Sequence, residues 1–296
     1  MTENTSVLKD TSFAYQDYQG KQAEKYRDRA NNHWKIRIDL ARKLFDKFSL
    51  PRLTEKAENE IVVVDVACSI GTFAIEFAKL GYRSFGVDFD SEALKIAEQL
   101  AKEEGVNPQV VHADISEWSL NFPKSDVVVC MDVFEHLHDD ELGAMLQSLR
   151  KQMTEHSSLV FHTFPTQYDY LFNGSKGRYR YPLLPFRRLK TVTFTRIARA
   201  YASLLDAYWL LRTGKNRREM IKKKSHCNPL TRERLTDIAL RSGFDIEIMQ
   251  LEQLYPDDLF TANPQIQGQF RNQEISYRNL SGVLVPKPTA NEIGLS

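Results

Sequence analysis

The chain has 296 residues, 42% hydrophobic and 27% charged, with a formal net charge of +1. This length can bury a sizeable core as one large domain, or as one domain with an accessory part, and the composition is that of an ordinary globular protein. It excludes a disulfide framework and a membrane-spanning bundle, because the three cysteines (Cys68, Cys130, Cys227) are widely spaced and no apolar run reaches bilayer length.

Met1 to Asp10 is polar and lacks the apolar region of a signal peptide, so a reducing, cytoplasmic setting is expected. The near-neutral total hides an asymmetry. Between Lys176 and Ser225 there are 15 Lys and Arg against 2 acids, a local net of +13, so the rest of the chain carries −12.

In chain order, residues 13–29 are polar but punctuated by Tyr15, Tyr18 and Tyr26. His33 to Phe48 has apolar residues at spacings of three and four, the face of a helix that Pro51 ends. Ile61 to Val66 is a continuous β-branched run, as in a strand buried on both faces. Gly71 to Leu80 reads as a helix closed by Gly81, and Ser84 to Val87 as a second strand. Asp90 or Ser91 caps a helix over 92–104, closed by Gly105. Gln109 to His112 is a short third strand, Ser125 to Met131 a fourth, Asp139 to Met153 a helix and Ser158 to Thr163 a fifth strand. Strands alternating with such helices give βαβ units and a parallel sheet with helices on both faces, a Rossmann-like α/β fold.

The alternation breaks after Phe164. Residues 165–190 are rich in aromatics, glycines and prolines, and Thr191 to Leu211 has helical periodicity. It resumes with a helix over 231–241, a strand from Phe244 to Leu251 and a last strand over 277–285. The stretch 165–227 is therefore an insertion into a sheet domain.

The stretch Val64-Asp65-Val66-Ala67-Cys68-Ser69-Ile70-Gly71-Thr72 runs from a buried strand through a turn of small residues into a helix. A second apolar run ends in Asp88. This geometry brings backbone close to a nucleoside across the carboxyl ends of neighbouring strands. A dinucleotide fingerprint G-x-G-x-x-G would place glycines at 67, 69 and 72, where this chain has Ala67, Ser69 and Thr72.

The pattern of acid, small, small and glycine at Asp65, Ala67, Ser69 and Gly71 instead resembles motif I of the class I S-adenosylmethionine-dependent methyltransferases. Ala67 and Ser69 stand where glycine is commonest in that family. Asp88 and Phe89 resemble the ribose-binding acid and the residue flanking adenine, and His112-Ala113-Asp114-Ile115 the adenine-reading segment. Met131-Asp132-Val133-Phe134-Glu135-His136-Leu137 resembles the end of the fourth strand in small-molecule members of the ubiquinone-biosynthesis and natural-product type. The resemblance spans 55–164 and 226–286. It implies a seven-stranded sheet whose last strand is antiparallel.

It further implies a cofactor site at Asp65, Ala67, Cys68, Gly71, Asp88, Phe89, Asp114, Ile115 and Met131. Each has a structural reading as well: Asp65 as a turn support, Asp88 as a helix cap, Cys68 as a filler. On the substrate side stand Tyr15, Tyr18, His136 and His226, with His136 the candidate base against a role as a structural hydrogen-bonder. No His and carboxylate cluster has ligand spacing, so no metal is expected. The implied division is an N-terminal helical cap over 1–54, a cofactor-binding core over 55–164, a basic and aromatic lid over 165–227, and the rest of the core over 228–296.

The expected reaction moves a methyl group from S-adenosylmethionine to O, N or C of a small organic biosynthetic substrate, such as one of secondary metabolism. S-adenosylhomocysteine is the product. The sulfonium supplies the electrophile, so positioning dominates. The basic insertion leaves three readings open: a solvated lid, a site for an anionic substrate, and a membrane or RNA surface through 191–224. No groove-reading or base-stacking motif supports nucleic acid. An RNA methyltransferase or a membrane-associated quinone or lipid methyltransferase using the basic insertion, and an inactive cofactor-binding subunit, stay open as alternatives.

Overall fold

The computed structural model describes residues 18–28, 32–114, 124–167, 174–252, 269–270 and 273–288. Helix α1 (Tyr18–Arg27) precedes α2 (Asn32–Leu44), which runs on through a π turn at Phe45–Ser49 to a short 3-10 turn containing Pro51. The alternating part follows: β1 (Val62–Val66), α3 (Thr72–Lys79), β2 (Arg83–Asp88), α4 (Ser91–Glu103), β3 (Gln109–His112), β4 (Ser125–Met131), α5 (Asp139–Lys151) and β5 (Met153–Thr163). After a 3-10 stretch at Gly174–Phe186 come α6 (Thr191–Thr213), α7 (Arg217–Lys222), α8 (Arg232–Arg241), β6 (Phe244–Glu252) and β7 (Asn279–Pro286).

The seven strands form one sheet in the order β3-β2-β1-β4-β5-β7-β6. The first five are parallel, and β7 runs antiparallel to both β5 and β6. The strand order reverses at β1 and β4, the switch point where open α/β sheets bind ligands.

Burial on both faces explains the unbroken apolar strands. Val62, Val64 and Val66 pack with Val128 and Cys130 against Leu142 and Leu146 of α5 and Leu235 of α8. The intervening Val63 packs with Val127 and Val129 against Ala41 of α2 and Phe73 and Phe77 of α3. Alternate side chains point to opposite faces of a strand, so one valine run serves two helical layers. Each fully buried side chain of this size contributes about 1.5–3 kcal/mol.

The element bounds differ from sequence expectation mainly at β5, which begins at Met153 rather than Ser158. Its register with β4 shifts between Ser125 and Val127. There Ser157 Oγ accepts from the Thr154 backbone N–H and donates to the Ser125 carbonyl, at 2.8 and 2.6 Å. That irregularity interrupts the apolar run from which a strand is read. Helix α1 is also more regular than its polar sequence suggests, because Tyr26 and Ala23 bury themselves against the body.

The insertion has its own small core. Phe194, Ala198, Ala202 and Leu205 of α6 pack on Leu183, Phe270 and Ile275. Its two ends meet where Thr166 bridges Leu230, with Gln167 N–H bonded to the Leu230 carbonyl at 3.0 Å. Among the described residues, no helix is long and apolar enough to cross a membrane.

Candidate functional site

The turn leaving β1 carries an unusual backbone. Ala67, Ser69 and Gly71 lie at φ 54°, 50° and 73°, all in the left-handed region. For a residue with a Cβ this costs about 1–2 kcal/mol, and such conformations concentrate at functional sites. The small side chains of Ala67 and Ser69 tolerate what glycine would adopt freely. Gly71 has no such latitude: a Cβ there would come within 2.9 Å of the Ala97 Cβ. Gly86 on β2 leaves room for the Cys68 sulfur, 2.9 Å from where a Cβ would stand. Burial raises the Cys68 thiol well above its ordinary range, so it is a filler rather than a nucleophile.

Two carboxyl groups fix this turn. Asp88 Oδ2 accepts the Ser69 backbone N–H at 2.7 Å, and Oδ1 accepts that of Asp90 at 2.9 Å. Asp65 lies deeper and accepts the Ala74 N–H at 3.1 Å in the first turn of α3. Burial, with the Asp88 charge nearby, pushes the Asp65 carboxyl up to about 8, against the weaker opposing effect of its backbone hydrogen bonds. Asp65 thus holds the helix start from behind, while Asp88 faces the turn. The ends of β2 and β3 are tied by Ala113 N–H to the Asp88 carbonyl and by His112 Nε2 to the Phe89 carbonyl, at 3.0 and 2.7 Å. Phe89 and Asp114 are exposed beside them, and Met131 is buried at the end of β4. Ile115 and Tyr15 lie outside the described residues.

Helix α1 lies over the turn. Ser69 Oγ donates to Gln19 Oε1 at 2.7 Å, Tyr26 Oη to Glu76 at 2.7 Å, and Arg27 binds both oxygens of Glu103 at 2.8 and 2.9 Å. Tyr18 begins this helix. Its ring is only partly covered; that partial burial raises its phenol, and the charges of Asp132, Arg37 and Glu135 all reach it.

The residues after β4 form the second half of the site. Asp132 is again left-handed, at φ 59°. Its carboxylate takes Arg37 Nε at 2.5 Å on one oxygen and His162 Nδ1 on the other. Burial pushes this carboxyl up, but the Arg37 guanidinium and His162 outweigh it and hold it below the usual carboxylate range. Glu135 is buried nearby, accepts from Thr163 Oγ1 at 2.8 Å, and is pushed well up by burial and by the Asp132 charge. Sequence reasoning did not find Arg37 or Asn279, the latter 3.1 Å from His162 Nε2. Both come from elements far from β4 in sequence, and no local pattern marks them.

His136 and His226 meet as edge-to-face rings with centroids 4.9 Å apart, although ninety residues separate them. His136 Nδ1 lies 2.9 Å from the Ser225 carbonyl. A carbonyl only accepts, so Nδ1 carries the hydrogen and Nε2 is the acceptor nitrogen of the neutral ring. Burial lowers His226, and its ring lies 6.1 Å from Phe164. Spacing along the chain suggested no metal-ligand group. Folding nonetheless brings Glu135, His136 and His226 together, each offering one potential ligand atom, all within 4.8 Å of one another. Asp132, the remaining carboxylate of this motif, already has its charge met by Arg37 and His162.

A strained small-residue turn beneath an acid at the end of β2, in this strand order, is the arrangement of the Rossmann-like methyltransferase fold. Residues 63–155 match the sequence family described as a methyltransferase domain. That match covers the stretch from β1 to the start of β5, and the fold around it is that of the S-adenosylmethionine-dependent methyltransferases. The ubiquinone biosynthesis O-methyltransferase of Pseudoalteromonas translucida is 26% identical over 117 residues, 38% of this chain and 49% of that protein. Its namesake from Klebsiella pneumoniae is 34% identical over 80 residues, 27% of this chain and 33% of that protein. The chain thus spans half or less of the length of these curated relatives.

The fold is shared over a greater length. The structure of magnesium protoporphyrin IX methyltransferase from Synechocystis, solved with S-adenosylhomocysteine, aligns with a TM-score of 0.52 at 15% identity, over 93% of this chain and 99% of that one. A S-adenosylmethionine-dependent methyltransferase from Clostridium acetobutylicum aligns at 0.52 and 12%, over 90% and 98%. The residues of this chain fit the cofactor of that class. The left-handed turn brings backbone to the switch point, and the Asp88 oxygens, each holding one backbone N–H, retain lone pairs for hydroxyl donors.

Proposed function

We propose that the protein moves a methyl group from S-adenosylmethionine to an oxygen of a small, largely apolar aromatic acceptor by direct displacement. The carrying observation is the His136 ring, fixed by the Ser225 carbonyl with Nε2 as its acceptor nitrogen. S-adenosylmethionine supplies an electrophilic methyl on a sulfonium sulfur. Asp88 and the backbone of Ala67 to Gly71 would hold the nucleoside end, and Phe89, Asp114 and Met131 would contact the base.

The acceptor side is aromatic: Phe164 and His226 stand with His136 beyond the end of β4, and the Tyr18 phenol is within reach of the Asp132 and Glu135 charges. Such rings suit a planar, apolar substrate. The acceptor O–H bond breaks toward His136 Nε2 as the O–CH3 bond forms and the S–CH3 bond breaks. The sulfonium becomes a neutral thioether, and the proton leaves on the imidazole. Orientation can supply roughly 7–11 kcal/mol of such a barrier, and a positioned base a further factor of about 10²–10⁴. The O-methyltransferase names of the curated relatives support the same reaction type.

The test is a panel of phenols, catechols, amines and carboxylates with S-adenosylmethionine, read by acceptor-dependent S-adenosylhomocysteine and by mass of the product. O-methylation of hydroxylated aromatics is expected. Turnover confined to amines would overturn the reading.

A further inference from the structure

The insertion presents two apolar faces, and its own core covers only one. Helix α6 buries Phe194, Ala198, Ala202 and Leu205. A second stripe, Ala200, Leu204, Ala207 and Leu211, recurs at spacings of four, three and four, and every member is exposed. Leu204 is 68% exposed and Leu211 88%. Nine of the twelve exposed large apolar side chains among the described residues fall between Tyr181 and Met220. Scattered exposed leucines need no explanation, but a periodic stripe on one long helix does.

Charge identifies the occupant. The same segment, Lys176 to Ser225, has a net charge of +13 in a chain whose remainder is −12. Its two acids are both neutralised internally, Asp206 by Arg218 at 2.7 Å and Glu219 by Lys222 at 3.1 Å. A second copy docking through the same face would bring two such segments together, so self-association is opposed. An anionic bilayer surface satisfies both features, since apolar side chains enter the acyl boundary while Lys and Arg meet the headgroups.

We infer that the α6–α7 face docks the protein peripherally on anionic lipid membranes, with Leu204 and Leu211 inserted and the Lys222–Lys224 run on the headgroups. The chain passes from Lys224 straight to Ser225 and His226, which hold His136. A membrane-bound insertion therefore sets the wall of the acceptor site. The docking itself does not depend on the methyl-transfer reading.

The test is vesicle flotation of the full chain without cofactor, using phosphatidylcholine alone and phosphatidylcholine with phosphatidylglycerol, at low and high salt. Each basic residue near such a surface contributes a factor of about five to binding. The protein is expected to float with the anionic vesicles at low salt only. Leu204→Asp with Leu211→Asp should weaken binding at least tenfold, and Lys222→Glu, Lys223→Glu and Lys224→Glu together by about a hundredfold. All five residues are exposed, and an unchanged thermal midpoint would show that the variants fold. Absence of flotation at low salt would overturn the proposal, as would equal binding by the leucine variant. A dimer in sedimentation velocity that the leucine variant abolishes would assign the face to a second copy and likewise overturn it.

Discussion

Asp88 reaches from the end of one strand to the turn leaving its neighbour, and its carboxylate accepts the Ser69 backbone N–H at 2.7 Å. This bond ties the cofactor-class acid to the strained turn it faces. Asp88→Ala leaves the N–H groups of Ser69 and Asp90 without their acceptor. The expected cost is about 1–3 kcal/mol of stability, with at least a tenfold loss of S-adenosylhomocysteine affinity. Asp88→Asn keeps one acceptor oxygen and should lose less of both in calorimetry and thermal denaturation.

Ala67 is held at φ 54°. Glycine there relieves about 1–2 kcal/mol of left-handed strain while adding about 0.5–1 kcal/mol of chain entropy to the unfolded state. Ala67→Gly should therefore raise stability slightly, by up to about 1.5 kcal/mol, in urea denaturation. Ala67→Val should lower it, because a β-branched residue tolerates positive φ poorly.

Arg37 neutralises Asp132 where both are largely enclosed. Arg37→Met leaves that carboxylate with His162 as its partner, so the cost should fall at or below the about 3–5 kcal/mol of breaking a fully buried pair. Arg37→Met with Asp132→Asn should recover much of the loss, because the under-compensated charge is gone. The double-mutant cycle measures the coupling directly.

The folded-state pKa of Asp65, about 8, lies above its ordinary value of 3.8. Between these values the folded chain binds more protons than the unfolded one. Its contribution is then complete below about pH 4 and is lost as pH rises toward 8, at up to about 1.4 kcal/mol per pH unit. Asp65→Asn removes this slope. The stability difference between variant and parent should shift in favour of the variant from pH 5 to pH 8, read as thermal midpoints in matched buffers.

Much of this was legible in the sequence, for identifiable reasons. Valine runs and glycine stops located the strands of the core, and β3 and β4 fall on the residues that their apolar patterns mark. The site was legible where it is local: Asp65, Ala67, Gly71 and Asp88 occupy one turn and its neighbouring strand end. It was illegible where it is assembled across the chain. Arg37 gives no motif of its own, and its role exists only because α2 packs over the end of β4. His226 is a substrate-side candidate in the sequence, but its contact with His136 exists only because the insertion's end brings the two rings together. The proximity of Glu135, His136 and His226 was hidden for the same reason.

His136 carries the proposed proton transfer. His136→Gln should lower kcat by about 10²–10⁴ while leaving S-adenosylhomocysteine affinity within about twofold. The acid limb of the parent's pH–rate profile should disappear with it. A purely structural role would instead lower the thermal midpoint and affinity together.

The most direct measurement is isothermal titration of the purified chain with S-adenosylhomocysteine. Saturable one-to-one binding is expected, abolished or strongly weakened by Gly71→Val, whose side chain meets Ala97 at a left-handed position. No heat of binding for the folded parent protein would contradict the account at its centre.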